Sequence, residues 1–357
     1  MKILITGGAG FVGADLAVQF KNRFPQSEVL ALDNLKRRGS ELNLPRLKKY
    51  QIKFVHGDIR NQNDFDDLPQ NFDLIIDASA EPSIHAGTPQ SSGSPRYVLD
   101  TNLSGTLNCL EFARKRAGKF IFLSTSRVYS IPKLRELCLE ETESRFALKL
   151  GLELPGITGN GISESFPTDG FRSFYGSTKL ASELFIQEYV QTYGLNAVIN
   201  RCGVLAGPGQ FGKVDQGVFT LWVANHYFKK PLKYTGFGGE GKQVRDLLHP
   251  SDLFTLLCLQ LENSESFCGE IYNVGGGKEN SISMKELTEH CRKITGNEIK
   301  IQSDPTTSSL DIPLYFTDLT KTKKNFKWEP LTSTQSILLE TLGWIRENEK
   351  DLKNIFI

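Results

Sequence analysis

The stretch Lys2-Ile3-Leu4-Ile5-Thr6-Gly7-Gly8-Ala9-Gly10-Phe11-Val12-Gly13 decides the fold. Its first five residues form a short, β-rich apolar run that suits a strand buried on both faces. Glycines follow at 7, 10 and 13, then a helix-like segment, then a second strand, Glu28-Val29-Leu30-Ala31-Leu32-Asp33. The order is strand, glycine loop, helix, strand, acid. The first glycine allows a tight turn, the second lets the backbone approach a pyrophosphate, and the third lets helix pack on strand. Free N–H groups and the helix dipole then meet the phosphates at the helix start. Asp33 lies 20 residues past Gly13, where a ribose-binding acid belongs. Its carboxylate binds ribose hydroxyls and repels a 2′-phosphate, which favours NAD over NADP. Arg37 and Arg38 are the competing signal, since either could compensate a phosphate.

The pattern continues outward. Residues 52–56 read as a third strand leading into Gly57-Asp58-Ile59, and residues 74–78 as a fourth, ending in the small residues Ala78-Ser79-Ala80. Small residues there let a cofactor lie against the backbone. A loop rich in Pro, Ser and Gly spans 81–95, and a helix is predicted from about Tyr97 to Arg116. Residues 119–123 read as a fifth strand, ending in Ser124-Thr125-Ser126, and 196–200 as a sixth. Alternating strands and helices argue for an α/β fold with a doubly wound parallel sheet of the Rossmann type. Residues 130–173 mix charge, Gly and Pro and read as an irregular excursion. Beyond 207 the alternation breaks down into a smaller C-terminal α/β substrate lobe. The expected division is a dinucleotide-binding domain over 1–200, to which 245–275 returns, and a substrate lobe over 201–244 and 276–357.

Phe174-Tyr175-Gly176-Ser177-Thr178-Lys179 places a tyrosine four residues before a lysine, one turn apart on one helix face. Ser173 can cap that helix and Gly194 can end it. A lysine ammonium beside a phenol favours the phenolate and is expected to lower the tyrosine pKa. Thr125, at the end of a parallel strand, would line the same crevice. Its hydroxyl could hold a substrate alcohol while Tyr175 removes the proton and hydride leaves to NAD⁺. Composition bounds the alternatives. The chain has 357 residues, 42 basic against 41 acidic, so no global field attracts nucleic acid or an anionic membrane. No apolar run reaches the roughly 20 residues of a membrane span. The six cysteines lack C-x-x-C pairing and read as free thiols in a reducing cytoplasm. The five histidines offer no metal-ligand spacing.

With these motifs in place, the chain resembles the extended short-chain dehydrogenases/reductases of the nucleotide-sugar epimerase/dehydratase class. The matching motifs include Gly7-x-x-Gly10-x-x-Gly13, Asp33-Asn34-Leu35, Ser124-Thr125-x-x-Val128-Tyr129, Tyr175-x-x-x-Lys179, Arg245-Asp246-x-x-His249 and Asn273-Val274-Gly275. Within the class it is most similar to the CDP-paratose (CDP-tyvelose) 2-epimerases, through residues 33–39, Val214-Asp215-Gln216-Gly217 and residues 241–249. The resemblance implies catalysis by Thr125, Tyr175 and Lys179. It implies an NAD site with Gly7, Gly10, Phe11, Val12 and Gly13 at the pyrophosphate and Asp33, Asn34, Asp58 and Ile59 at the adenosine. Ala78, Ala80, Asn102, Ser124, Cys202 and Val204 complete the cofactor site, together with Tyr175 and Lys179. It implies a nucleotide-sugar substrate bordered by Glu81, Ser83, His85, Ser126, Arg127, Arg201 and Gln216, with Arg245 on the diphosphate. It also implies a homodimer paired through residues 100–116 and 175–193. The departures matter as much. Dehydratases of this class carry an acidic pair after the catalytic threonine; here Ser126 and Arg127 stand there. No acid is placed to expel water, so epimerisation is the expected reaction. A net dehydrogenase or reductase, a C4 epimerase and a non-catalytic NAD-binding protein are the alternatives.

Overall fold

A computed structural model of the chain describes residues 1–69, 71–89, 91, 94–149, 154–212 and 216–356. Val214 and Asp215, part of the subfamily resemblance, lie outside the described residues. The chain forms two compact units: Met1–Val128, Ser173–Cys202 and Leu253–Tyr272 in the first, and Tyr129–Arg172, Gly203–Asp252 and Asn273–Ile357 in the second.

The first unit is built on a seven-stranded sheet: β1 (Lys2–Thr6), β2 (Glu28–Asp33), β3 (Lys53–His56), β4 (Phe72–Asp77), β5 (Ala117–Thr125), β6 (Ala197–Cys202) and β7 (Cys268–Val274). Their order is β7-β6-β5-β4-β1-β2-β3. Every pairing from β3 across to β6 is parallel. This is the Rossmann-type doubly wound sheet that the strand–helix alternation implied. The main helices are α1 (Phe11–Arg23), α2 (Gly105–Arg116), α3 (Phe174–Tyr193) and α4 (Pro250–Glu262). Leu4, Leu30, Ile75, Phe120, Phe122 and Ile186 belong to one buried apolar cluster. Burying side chains of this size contributes about 1.5–3 kcal/mol each. Strand order reverses between β1 and β4, and in such sheets ligands bind outside the carboxyl ends of the strands at that point. Thr6, Asp33, Asp77, Thr125 and Cys202 are the C-terminal residues of their strands and so share that edge.

The continuous helix expected from about Tyr97 to Arg116 is interrupted. An α-helical turn, Pro95–Leu99, runs through a π-helical segment, Asp100–Ser104, into α2. The wider turn puts Asn102 fully inside, where its amide bonds to other chain segments described below. π-segments inside helices frequently occur at functional sites.

The second unit has its own core, including Phe219, Trp222, Leu247, Leu287, Ile337 and Leu342. Its sheets are small. Val204–Leu205, Val244–Leu248 and Ser281–Ser283 form one, and Leu232–Thr235 pairs with Ile301–Asp304. All but the last residue of the excursion over 130–173 belongs to this unit. It contains a helical turn, Ile131–Arg135, and two short antiparallel ladders.

Candidate active site

The glycine loop is a cradle closed by its own backbone. Gly7 sits at φ +64°, and a Cβ on Gly13 would fall 2.2 Å from the Gly7 carbonyl oxygen. The third glycine therefore packs helix against the loop itself, and any side chain there would force the two apart. A Cβ on Gly7 would meet the Ala78 carbonyl at 2.9 Å, so the loop after β1 lies against the end of β4. Helix α1 has no side-chain cap at Gly10. Its first intrahelical bond runs from Ala14 to Gly10, which leaves the Phe11, Val12 and Gly13 N–H groups at an uncapped helix start. Such a terminus attracts phosphate. Asp33 ends β2, and its carboxylate accepts the Ala9 N–H at 3.1 Å and the Leu35 N–H at 2.7 Å. Burial raises its pKa, opposed by those backbone bonds. Asn34 donates to Asp58 at 2.9 Å. A hydrogen bond from Arg60, foremost among several causes, holds the Asp58 carboxyl down at about 2. Ile59 is buried against the site where a Cβ on Gly105 would lie. These residues fit an NAD molecule: bare amides for phosphates, a fixed acid for a ribose and a walled position for an adenine.

Helix α3 forms where the sequence places it. The Ser173 hydroxyl accepts the Gly176 N–H at 3.1 Å, and Gly194 closes the helix at φ +67°. Tyr175 is half-buried and hydrogen-bonded to the Thr125 side chain. Its pKa is pushed up to about 12, chiefly by burial, with the Thr125 bond pulling the other way. The expected lowering by Lys179 is not what the chain shows. Desolvation is the largest cause, because a phenolate in this pocket loses its water. Lys179 is itself fully buried, and burial lowers its pKa in turn. Its ammonium lies 3.4 Å from the Ser79 carbonyl and 4.3 Å from the centroid of the Phe122 ring. Burial thus raises the tyrosine pKa and lowers that of the lysine, one turn apart on α3.

The other expected residues distribute as follows. Asn102 bonds both ways to the Glu81 backbone, accepting its N–H at 2.7 Å and donating to its carbonyl at 3.1 Å, and donates to Thr178 at 3.2 Å. Its amide thereby fixes the loop after β4 to helix α3. Glu81, Ser83 and His85 bond along that loop, with Glu81 accepting from Ser83 N–H and Ser83 from His85 N–H, both at 3.2 Å. Ala78 and Ala80 flank buried Ser79, and Ser126 is half-buried. The Arg127 N–H reaches Thr125 Oγ1 at 3.2 Å. Ser124 and Arg201, neighbours across β5 and β6, both turn to Glu183 of α3. Cys202 is buried, with its thiol pushed up to about 12 by burial. In the second unit, Val204 pairs with Leu247, and Arg245 forks between Asp311 at 2.9 Å and the Ile312 carbonyl at 2.8 Å. Gln216 is half-buried.

Sequence reasoning passed over two acids in this site. Glu183 stands one turn after Lys179, and Asp77 ends the apolar run Leu74-Ile75-Ile76. Either could have been noticed, since an acid at a position that should be buried demands a partner. Among the described residues, no cluster of metal-binding side chains occurs and no helix is long and apolar enough to cross a membrane.

Residues 3–275 match the NAD dependent epimerase/dehydratase family, and the chain belongs to it. It is 32% identical to the CDP-paratose 2-epimerase of Salmonella typhi, over 96% of this chain and 99% of the relative. It is 31% identical to a dTDP-glucose 4,6-dehydratase of Streptomyces niveus, over 98% and 94% of the two chains. Among solved structures, the dTDP-glucose 4,6-dehydratase of Streptomyces venezuelae, crystallised with NAD, superposes with a TM-score of 0.77 at 27% identity, covering 99% of this chain and all of that one.

Proposed function

We propose that this chain is an NAD-dependent nucleotide-sugar epimerase, and that a CDP-linked sugar epimerised at C2 is its substrate. The observation that carries the reading is the Thr125–Tyr175 hydroxyl pair beside Lys179, with Ser126 and Arg127 in place of acids. Bound NAD supplies a hydride acceptor that can return what it takes. The chain's own work is proton handling and orientation. Thr125 holds the sugar hydroxyl, and Tyr175 removes its proton and later gives it back. Lys179 supplies the positive charge that stabilises the phenolate. With Ser126 and Arg127 rather than an acidic pair after Thr125 to protonate a leaving hydroxyl, the ketosugar keeps its substituents and has only to present its other face. Gly7, Gly10, Phe11, Val12 and Gly13 cradle the pyrophosphate, while Asp33, Asn34, Asp58 and Ile59 hold the adenosine. The first unit serves the cofactor. Arg245, a guanidinium already fixed as a fork, is the residue we assign to the substrate diphosphate.

The C2 assignment rests on the CDP-paratose 2-epimerase similarity. Purified protein with NAD is incubated with CDP-, UDP-, dTDP- and GDP-sugars and followed by NMR. Inversion at C2 of a CDP-sugar without NADH build-up is expected. Inversion at C4 would move the assignment to that carbon, and stoichiometric NADH would make the enzyme a dehydrogenase. No change in any sugar would overturn the proposal. We also propose a homodimer in the cytoplasm. Leu184, Phe185 and Tyr193 leave apolar surface exposed on α3, and all six cysteines are free. Light scattering on the eluted protein should give twice the chain mass.

A further inference from the structure

Asp77 is fully buried at the C-terminal end of β4. Its carboxylate accepts three hydrogen bonds: from Thr6 Oγ1 at 2.7 Å, Thr106 Oγ1 at 2.9 Å and the Ser79 N–H at 3.2 Å. All three donors are neutral. A buried carboxylate without a cation is costly unless charge lies close by.

The sheet register shows where that charge is. Thr6, Asp77 and Phe122 stand side by side on β1, β4 and β5. Residues in register point to one face of a sheet. The Lys179 ammonium sits 4.3 Å from the Phe122 ring on that row. Ser79 joins the two charged groups directly, since its N–H goes to Asp77 and its carbonyl accepts from Lys179 at 3.4 Å.

The other groups that act on Lys179 are Cys109 from α2, Cys202 from β6 and Glu183 from α3. Burial raises both thiols, so neither carries charge near neutral pH. Glu183 is already neutralised by Arg201, which binds both of its oxygens. Asp77 is the remaining anion.

We propose that Asp77 is a positioning residue for Lys179, supplying the negative charge opposite its ammonium and fixing the Ser79 turn to which that ammonium is bonded. The same carboxylate ties Thr6, the residue before the glycine loop, to the same point. One buried acid therefore sets the entry to the cofactor cradle and the charge behind Tyr175. The placement stands on geometry alone; its catalytic consequence rests on the epimerase reading above.

The test uses full-length protein carrying lysine labelled with ¹³C at Cε, with the Lys179 resonance assigned by its loss in Lys179→Met. The pH at which Lys179 loses its proton is compared in the parent chain, Asp77→Asn and Asp77→Ser. Serine is small and neutral and fits among the threonine hydroxyls, so it serves if the asparagine variant does not fold. Removing the charge should lower the midpoint by about one pH unit. An unchanged midpoint in the folded variant overturns the proposal. This measurement needs no substrate, so it stands even if no sugar is turned over. With a substrate in hand, the alkaline limb of the kcat profile should move down by the same amount. A uniform loss of activity with an unmoved limb would reduce Asp77 to a purely structural acid.

Discussion

Helix α3 carries two buried charges one turn apart, and the fold treats them in opposite ways. Glu183 is 1% exposed and closed on every side, with Arg201 bidentate across it and Ser124 donating from β5. Lys179 is equally buried, yet its one hydrogen bond is long and its nearest neighbour is an aromatic face. The Glu183 carboxylate is held on both oxygens by fixed donors. The Lys179 ammonium is not, and burial pushes up the Tyr175 phenol one turn before it, with Thr125 and then Arg127 opposing. A group that must change its proton cannot be fully satisfied in one state. The closed pair fixes α3 against β6, and the open pair is left adjustable on that fixed support.

The sharpest way to break this contrast is to remove the proton carrier. Tyr175→Phe deletes one hydroxyl and should lower turnover by about 10²–10⁴-fold with almost no change in melting temperature. Arg201→Met should do the reverse. It strands the Glu183 carboxylate and should cost about 3–5 kcal/mol of stability. Denaturant unfolding followed by amide exchange in β6 reads that loss, and Glu183→Gln in the same chain should restore most of it. If Arg201→Met melts normally and is dead, Arg201 belongs to the chemistry and the contrast is wrong.

A smaller effect is expected at Thr125. Thr125→Val keeps the shape and removes the hydroxyl bonded to Tyr175. A hydrogen bond to a developing charge contributes about 1.5–3 kcal/mol, so kcat should fall by roughly 10- to 100-fold. The Tyr175 pKa should rise further, because the bond now lowering it is lost. The acid limb of the pH–rate profile should therefore shift to higher pH. A limb that stays in place would detach Thr125 from the tyrosine.

What the sequence made legible follows the same division. The parallel sheet was readable because most of its strands carry a short apolar run, several of them ended by a glycine or a small residue. Gly7, Gly10 and Gly13 announced the loop because backbone must pass close to backbone there. The π-segment at Asp100–Ser104 left no such mark, since its residues are compatible with an ordinary helix. The second unit was only partly legible, because it gathers three separated segments and its strands are two to five residues long. The motif positions of Tyr175 and Lys179 were plain, but their electrostatics were not. Periodicity shows that two side chains share a face, and it says nothing of how much water remains around them. The partners of Asp77 and Glu183 were hidden for a related reason: a charged residue reads as surface until the groups that pair with it, distant in sequence, are seen.

The finest test of the contrast is Cys202, which lies buried at the end of β6 and feels both effects at once. Burial pushes its thiol up to about 12, and the Lys179 charge opposes that shift. A raised acid stays protonated until pH approaches the raised value, and only the thiolate is alkylated. At pH 8, iodoacetamide should therefore label exposed Cys268 within the time that Cys202 remains untouched, as peptide mapping would report. Lys179→Met removes the opposing charge and should leave Cys202 at least as inert. Labelling of Cys202 alongside Cys268 in the folded protein would mean that the lysine field outweighs desolvation at this edge. The same field would then act on Tyr175, and its phenolate would form near neutral pH without help from anything else in the site.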